Sequence, residues 1–278
     1  MRLGVTSYAF TWEIGVPGFR FPDAGSEVPV EQLGASGLLD RAASLGIGVV
    51  QMLDNLPLHT ASPEELGGLR TRADALGLAL EVGTRGIDPP HLRAYLGVAL
   101  QLGSPFVRIV VDTARLHPSP EEVVAKLLEV LPEYDGAGIG IAIENHDRFP
   151  SAVLLSVLER LGSPRVGICL DTVNSLGALE RPEIVVATLG PKAVSVHVKD
   201  FDVRRATHRM GLIVEGEPAG QGRLDIPWLL SKVREFGCDP NALLELWTPP
   251  ERTLAATIAK ERRWAEASID YLRTFLPD

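Results

Sequence analysis

Ser119-Pro120-Glu121-Glu122, Ile139-Gly140-Ile141-Ala142-Ile143-Glu144-Asn145 and Val166-Gly167-Ile168-Cys169-Leu170-Asp171 follow one another along a single stretch of the chain, and their spacing decides the fold. The first run opens a helix: Ser caps it, Pro suits its first turn, and two acids complement the positive end of its dipole. The other two are short, largely apolar runs that read as strands with a period of two. Leu161-Gly162 between them ends a second helix, because glycine takes the left-handed conformation that closes one. Successive strands separated by a helix pair in parallel through a right-handed crossover.

Working outward from this core, the same unit repeats over the whole chain. Candidate strands fall at residues 3–9, 48–53, 78–84, 106–112, 139–145, 166–171, 193–199 and 242–247. Helix-like stretches fall at 30–45, 63–76, 90–102, 120–134, 152–161, 182–189, 226–236 and 254–275. Eight such units predict an α/β fold, a single-domain (β/α)8 TIM barrel over residues 1–278. A doubly wound open sheet is the competitor, but it usually carries a Gly-rich turn after its first strand, and Thr6-Ser7-Tyr8-Ala9-Phe10 has none. Two connections after strands are long, 10–29 and 200–224, and are candidate lids at the active-site rim. The first carries Trp12, Phe19 and Phe21.

Composition excludes several functions. Lys and Arg number 27 against 36 Asp and Glu, a net charge of −9, so no basic face is available for nucleic acid. No apolar run reaches the roughly 18 residues that span a bilayer, and the N-terminus lacks a signal-peptide pattern, so a cytoplasmic protein without a membrane partner is expected. The two cysteines, Cys169 and Cys238, form neither a CxxC pair nor a disulfide framework and read as reduced core thiols.

The last four strands carry the chemistry. On one parity they hold small residues, Gly140 and Ala142, Gly167 and Cys169, Ala193 and Ser195, while the other parity is bulky and suits packing against outer helices. The small parity ends on Glu144, Asp171 and His197, and the last strand ends on Glu245. Alone, each has a plain explanation as a cap, an ion pair or a core residue. Four strand ends of matching parity instead predict three carboxylates and an imidazole converging above the barrel axis, a hard O/N site for Mn²⁺, Mg²⁺, Co²⁺ or Zn²⁺. Farther along the rim, Arg85, Arg108, Lys199 and Arg204 suggest an anionic substrate, although Arg85 and Arg108 are equally readable as ion-pair partners of Glu81 and Asp112. His146, two residues beyond Glu144, is a candidate acid or base. Gln51 is a candidate hydroxyl partner, and Trp12 and Trp247 are candidate walls for a sugar face.

The runs Ile143-Glu144-Asn145-His146-Asp147, Cys169-Leu170-Asp171-Thr172-Val173-Asn174-Ser175, Val196-His197-Val198-Lys199-Asp200, Gly220-Gln221-Gly222-Arg223-Leu224-Asp225 and Leu244-Glu245-Leu246-Trp247 resemble the xylose isomerase-like TIM-barrel superfamily. This resemblance implies one divalent cation, Mn²⁺ first among the candidates, held by Glu144, Asp171, His197 and Glu245. It also implies a small keto-sugar, polyol or sugar acid as substrate, and a homo-oligomer. The implied reaction passes through an enediolate: Glu144 and Glu245 exchange a proton on opposite faces in an isomerase or epimerase. A lyase on the same scaffold is the alternative, either an inosose-type dehydratase or a 3-oxo sugar-acid decarboxylase. The run from Glu144 to Arg148, with Glu81 to Gly86, resembles the 3-oxo-isoapionate decarboxylase branch. A non-catalytic binding barrel ranks last, because all four ligands are present. The chain also departs from its relatives. Asn174 stands where many members place a second His, and Pro150 where ketose 3-epimerases place a substrate-binding Glu. The extra ligands of endonuclease IV are missing after Asp200-Phe201-Asp202.

Overall fold

A computed structural model describes residues 1–15 and 32–276. Eight parallel strands close a barrel. They are β1 (Leu3–Thr6), β2 (Val49–Met52), β3 (Ala79–Arg85), β4 (Phe106–Val110), β5 (Gly140–Glu144), β6 (Val166–Asp171), β7 (Ala193–Val198) and β10 (Asn241–Leu244). β10 pairs with both β7 and β1, which shuts the sheet. Outside it run α2 (Ala35–Ser44), α3 (Pro63–Ala75), α4 (Pro89–Leu102), α5 (Pro120–Ala137), α6 (Ser151–Leu161), α7 (Pro182–Leu189), α8 (Ile226–Glu235) and α9 (Leu254–Leu272). The single-turn α1 (Thr11–Ile14) precedes them.

The local chemistry explains these boundaries. Ser119 and Glu122 form a reciprocal capping box with Pro120 in the first turn, and Ser62 with Glu65 repeats it on α3. α6 ends at Gly162 with φ +61°, the left-handed terminator read from sequence. The bulky parity forms the main core between sheet and helices, with Ile141, Ile143, Ile168, Leu170 and Val196 all buried. Inside the barrel, Phe106, Ala142 and Cys169 make a small separate cluster beneath the site.

Three expectations need correction. The first strand stops at Thr6 rather than residue 9, because the Thr6 hydroxyl accepts the Tyr8 N–H (3.1 Å) and turns residues Ser7–Phe10 into a 3-10 helix. The connection 200–224 is largely a hairpin, β8 (Asp200–Arg205) with β9 (Leu212–Glu217), rather than a loop. Its exit is tied down by the Asp200 carboxylate, which accepts the backbone N–H groups of Gly220, Gly222 and Leu224 at 2.9–3.0 Å. Val194 does not pack under a helix but is 40% exposed, because the register between β6 and β7 shifts by one residue there. Of the other candidate lid, residues 16–31, with Phe19 and Phe21, lie outside the described residues.

Gly83, on β3, shows how the barrel interior is shaped for the site. A Cβ at this position would sit 2.9 Å from Cδ of Arg108 and 2.6 Å from Leu53 Cδ2. The missing side chain is the space through which Arg108 crosses the barrel. Gly83→Val is therefore expected to destabilise the fold by about 1–3 kcal/mol through overpacking. Denaturant unfolding of the purified variant measures this, and wild-type stability would contradict the crossing.

Candidate metal centre

Glu144, Asp171, His197 and Glu245 all reach the C-terminal mouth of the barrel, each at or just beyond the end of its strand. Register does the alignment. The shift between β6 and β7 sets Cys169 opposite Ser195 and Asp171 opposite His197, and β10 sets Leu243 opposite His197. The Glu245 N–H then donates to the Val198 carbonyl (3.1 Å) and continues the ladder by one residue. All four side chains are buried. Nδ1 of His197 lies 3.0 Å from Glu245 Oε2, 3.3 Å from Glu144 Oε2 and 4.0 Å from Asp171 Oδ2. Ligand atoms of Asp171, His197 and Glu245 fall within 4.8 Å of one another.

The imidazole is held from behind. Asn241 Nδ2 donates to one oxygen of Glu81 (2.7 Å) and Gln51 Nε2 to the other (2.9 Å). With its amide nitrogen committed to a carboxylate, Gln51 must point its carbonyl oxygen at His197 Nε2, 2.6 Å away. That nitrogen therefore carries a proton, and Nδ1 is the atom aimed at the three acids. Nδ1 of His197 and Oδ2 of Asp171 are buried and lack a well-formed hydrogen bond. An orphaned ring nitrogen facing carboxylates fits a divalent cation, and Glu144, Asp171, His197 and Glu245 are the residues that would hold it.

Cationic side chains offset part of the acid cluster. Like charges 4 Å apart repel by about 4 kcal/mol even at an effective dielectric near 20. Arg108 Nε donates to Glu144 Oε2 in a very short contact, and its Nη1 reaches Asp54 Oδ1 at 3.1 Å. Lys199 Nζ sits 2.7 Å from Glu245 Oε1 and 2.9 Å from Asp171 Oδ2. Burial pushes the Glu144 carboxyl up, but Arg108 and His197 outweigh it and hold the group well below the usual range. Glu245 is likewise lowered to about 2, against burial, by Lys199 and His197. Asp171 goes the other way, raised by burial despite Lys199. Burial disfavours a charged His197, yet Cys169, Glu245 and Glu144 raise its pKa well above the ordinary value.

Cys169 also has its sulfur among these ligand atoms, with Glu144 and His197. Burial pushes its thiol up against the opposing pull of His197, and its sulfur packs beneath the site.

A cavity of about 490 Å³ opens above the acids, lined among others by Tyr8, Arg85, His146, Lys199, Glu245 and Trp247. Asn174 belongs to the same wall, donating to Glu144 Oε1 (2.9 Å) and accepting from Lys199 Nζ (3.2 Å). Trp247 places its ring 5.0 Å from the Lys199 ammonium. His146 sits at the mouth with its ring against Asp147.

Three sequence candidates lie elsewhere. Arg204 is on the hairpin, paired with Glu215 at 2.6 Å, away from this cavity. Trp12 lines a neighbouring cavity and donates its indole N–H to the Thr248 carbonyl (2.8 Å). Gln51 is fully buried, so its partner is His197 rather than a substrate hydroxyl. The ion pairs of Arg85 and Arg108 also differ from the expected ones: their carboxylate partners are Asp54 and Glu144, while Glu81 serves Gln51 and Asn241, and Asp112 serves Arg148. Asp54 escaped the sequence reading because it follows β2 on the opposite parity from Gln51, where no periodic pattern marks it.

A parallel eight-stranded barrel with an acid and imidazole cluster at its C-terminal mouth defines an enzyme-type TIM barrel. Residues 90–275 match the family described as xylose isomerase-like TIM barrel, and the chain belongs to it. It is 34% identical over 277 residues to 3-oxo-isoapionate decarboxylase of Pectobacterium atrosepticum, covering 100% of this chain and 97% of that protein. Among solved structures it is similar to D-psicose 3-epimerase from Clostridium cellulolyticum, at 16% identity, TM-score 0.72 and 99% coverage of both chains. It is also similar to a xylose isomerase-like barrel from Mycobacterium smegmatis in complex with magnesium, at 15% identity and TM-score 0.66, with 98% of this chain and 97% of that one covered. The fold is shared with both. No helix among the described residues is long and apolar enough to cross a membrane.

Two measurements test the centre. Gln51→Leu leaves His197 unsupported and is expected to weaken Mn²⁺ binding about 10–100-fold in a calorimetric titration. Because the raised pKa keeps the His197 ring protonated in metal-free protein at neutral pH, an incoming ion displaces that proton. Apparent affinity should therefore climb as pH rises through neutrality. A flat profile would place the ion elsewhere.

Proposed function

We propose that this chain is a divalent-metal-dependent lyase that decarboxylates a small 3-oxo sugar acid. The observation that carries the reading is the 34% identity with 3-oxo-isoapionate decarboxylase across the full chain. The geometry of Glu144 supports it. A two-base epimerase needs two carboxylates free to take and return a carbon-bound proton. Here both oxygens of Glu144 are engaged, Oε2 by Arg108 and Oε1 by Asn174, and its low pKa makes it a poor base. Decarboxylation requires no such base, since the electrons come from the breaking carbon–carbon bond.

Glu144, Asp171, His197 and Glu245 would hold one divalent ion, with Mn²⁺ preferred and Mg²⁺, Co²⁺ or Zn²⁺ as alternatives for this O/N set. When bound it supplies positive charge beside the 3-oxo group, where negative charge collects as carbon dioxide leaves. Lys199 on the cavity wall orients the acid by its carboxylate. The electron pair of the broken bond passes into the enediolate of the substrate, and a proton must then return to its carbon. His146, at the cavity mouth, is the donor in this scheme. The second reading, an isomerase or epimerase, is favoured by Glu144 and Glu245 both lying within 3.3 Å of His197 Nδ1.

EDTA should abolish turnover of a 3-oxo sugar acid and Mn²⁺ should restore it, with carbon dioxide released in step with substrate loss. Solvent deuterium entering the sugar without carbon dioxide release would instead establish the epimerase. His146→Ala is expected to lower kcat about 100-fold or more while leaving Mn²⁺ affinity unchanged, as steady-state kinetics and metal titration would show.

A further inference from the structure

A second chamber of about 630 Å³ adjoins the cavity above the acids. Tyr8, Arg85, His146 and Asp147 line both, so they form a partition that a ligand can straddle. Each chamber falls within the roughly 300–1,000 Å³ range of a ligand pocket, so a single small sugar acid held at the metal centre leaves the second one over.

Its lining identifies the chemistry. On one side three rings pack together: His59 and His91 at 4.9 Å between centroids, His91 and Tyr95 at 5.0 Å, and His59 and Tyr95 at 5.5 Å. His91 is anchored through Nε2 to the Thr84 hydroxyl at 2.7 Å. On the other side the cations are already matched by acids. Arg148 forks onto Asp112 (2.6 and 2.9 Å), and Arg85 Nε donates to Asp54 (3.1 Å). Burial and the neighbouring His59 lower the pKa of His91, which favours a neutral ring.

An anion would find its arginines neutralised, and an apolar ligand would have to bury two ion pairs without compensation. A polyhydroxylated group meets neither obstacle. Its hydroxyls both donate and accept, so they can bridge each arginine–carboxylate pair, while its C–H face lies on the aromatic rings. We infer that this chamber is a subsite for a neutral sugar unit attached to the acid that reacts at the metal centre, so that the chain accepts a glycosylated or otherwise extended sugar acid. The inference rests on the proposed reaction centre being the adjoining cavity.

Gluconate and maltobionate are the probes, because they carry the same carboxylate and differ by one glucosyl unit. Calorimetric titration of the Mn²⁺-loaded protein is expected to show maltobionate binding about tenfold or more tightly than gluconate. The gain should vanish in His59→Leu/His91→Leu. It should vanish equally in Ala114→Trp, which fills the chamber from an exposed position on its rim and leaves the buried lining intact. Gluconate affinity should be unchanged in both. Equal affinity for the two probes in the wild type, or failure of maltobionate to bind, would overturn the subsite, as would a gain that survives both variants. Failure of the metal-centre reading looks different: gluconate would bind equally well in EDTA while the maltobionate gain persisted.

Discussion

Three buried carboxylates converge on one imidazole at the mouth of this barrel, and the surrounding structure is arranged around the need to compensate them. Left alone, such a cluster would protonate or push its strands apart. Arg108 and Lys199 answer part of the charge from inside the protein, each reaching acids on more than one element. What they leave uncovered is the inner edge of the cluster, where His197 Nδ1 faces Glu245, Glu144 and Asp171 without a well-formed hydrogen bond. A small divalent cation suits that ring nitrogen and the acids that face it.

Compensation also shapes the barrel interior. Arg108 is among the largest fully buried side chains of the protein, and it can cross the barrel only because Gly83 presents no side chain in its path. Phe106, Ala142 and Cys169 form an apolar cluster in the same interior. The chain of contacts from Asn241 through Glu81 and Gln51 to His197 runs through the same interior and sets which ring nitrogen faces the acids. Packing, charge balance and ligand orientation are thus solved by one set of inward residues.

Much of this was legible in the chain itself. Capping boxes, glycine terminators and the period of two gave the helices, most strand limits and the barrel, because each depends on contacts among near neighbours in sequence. Glu144, Asp171, His197 and Glu245 could be read as a group because each ends a strand and strand parity carries a side chain to a known face. The hairpin of residues 200–217 was not foreseen: its strands are largely exposed at their tips, apolar Leu212 and Val214 included, so no buried face imposes an alternating pattern.

Sequence alone determined the architecture and the identity of the four converging side chains, since local propensity and periodicity suffice for both. Only the tertiary structure decided their partners. The register shift at Val194, which sets His197 against Asp171, arises where two strands meet. Asp54 joins Tyr8, Arg85 and Arg108 because barrel closure brings four distant segments within 3.0–3.1 Å. Gln51 became a support for His197 rather than a substrate contact for the same reason: hydrogen bonds across a barrel link residues that no local pattern relates.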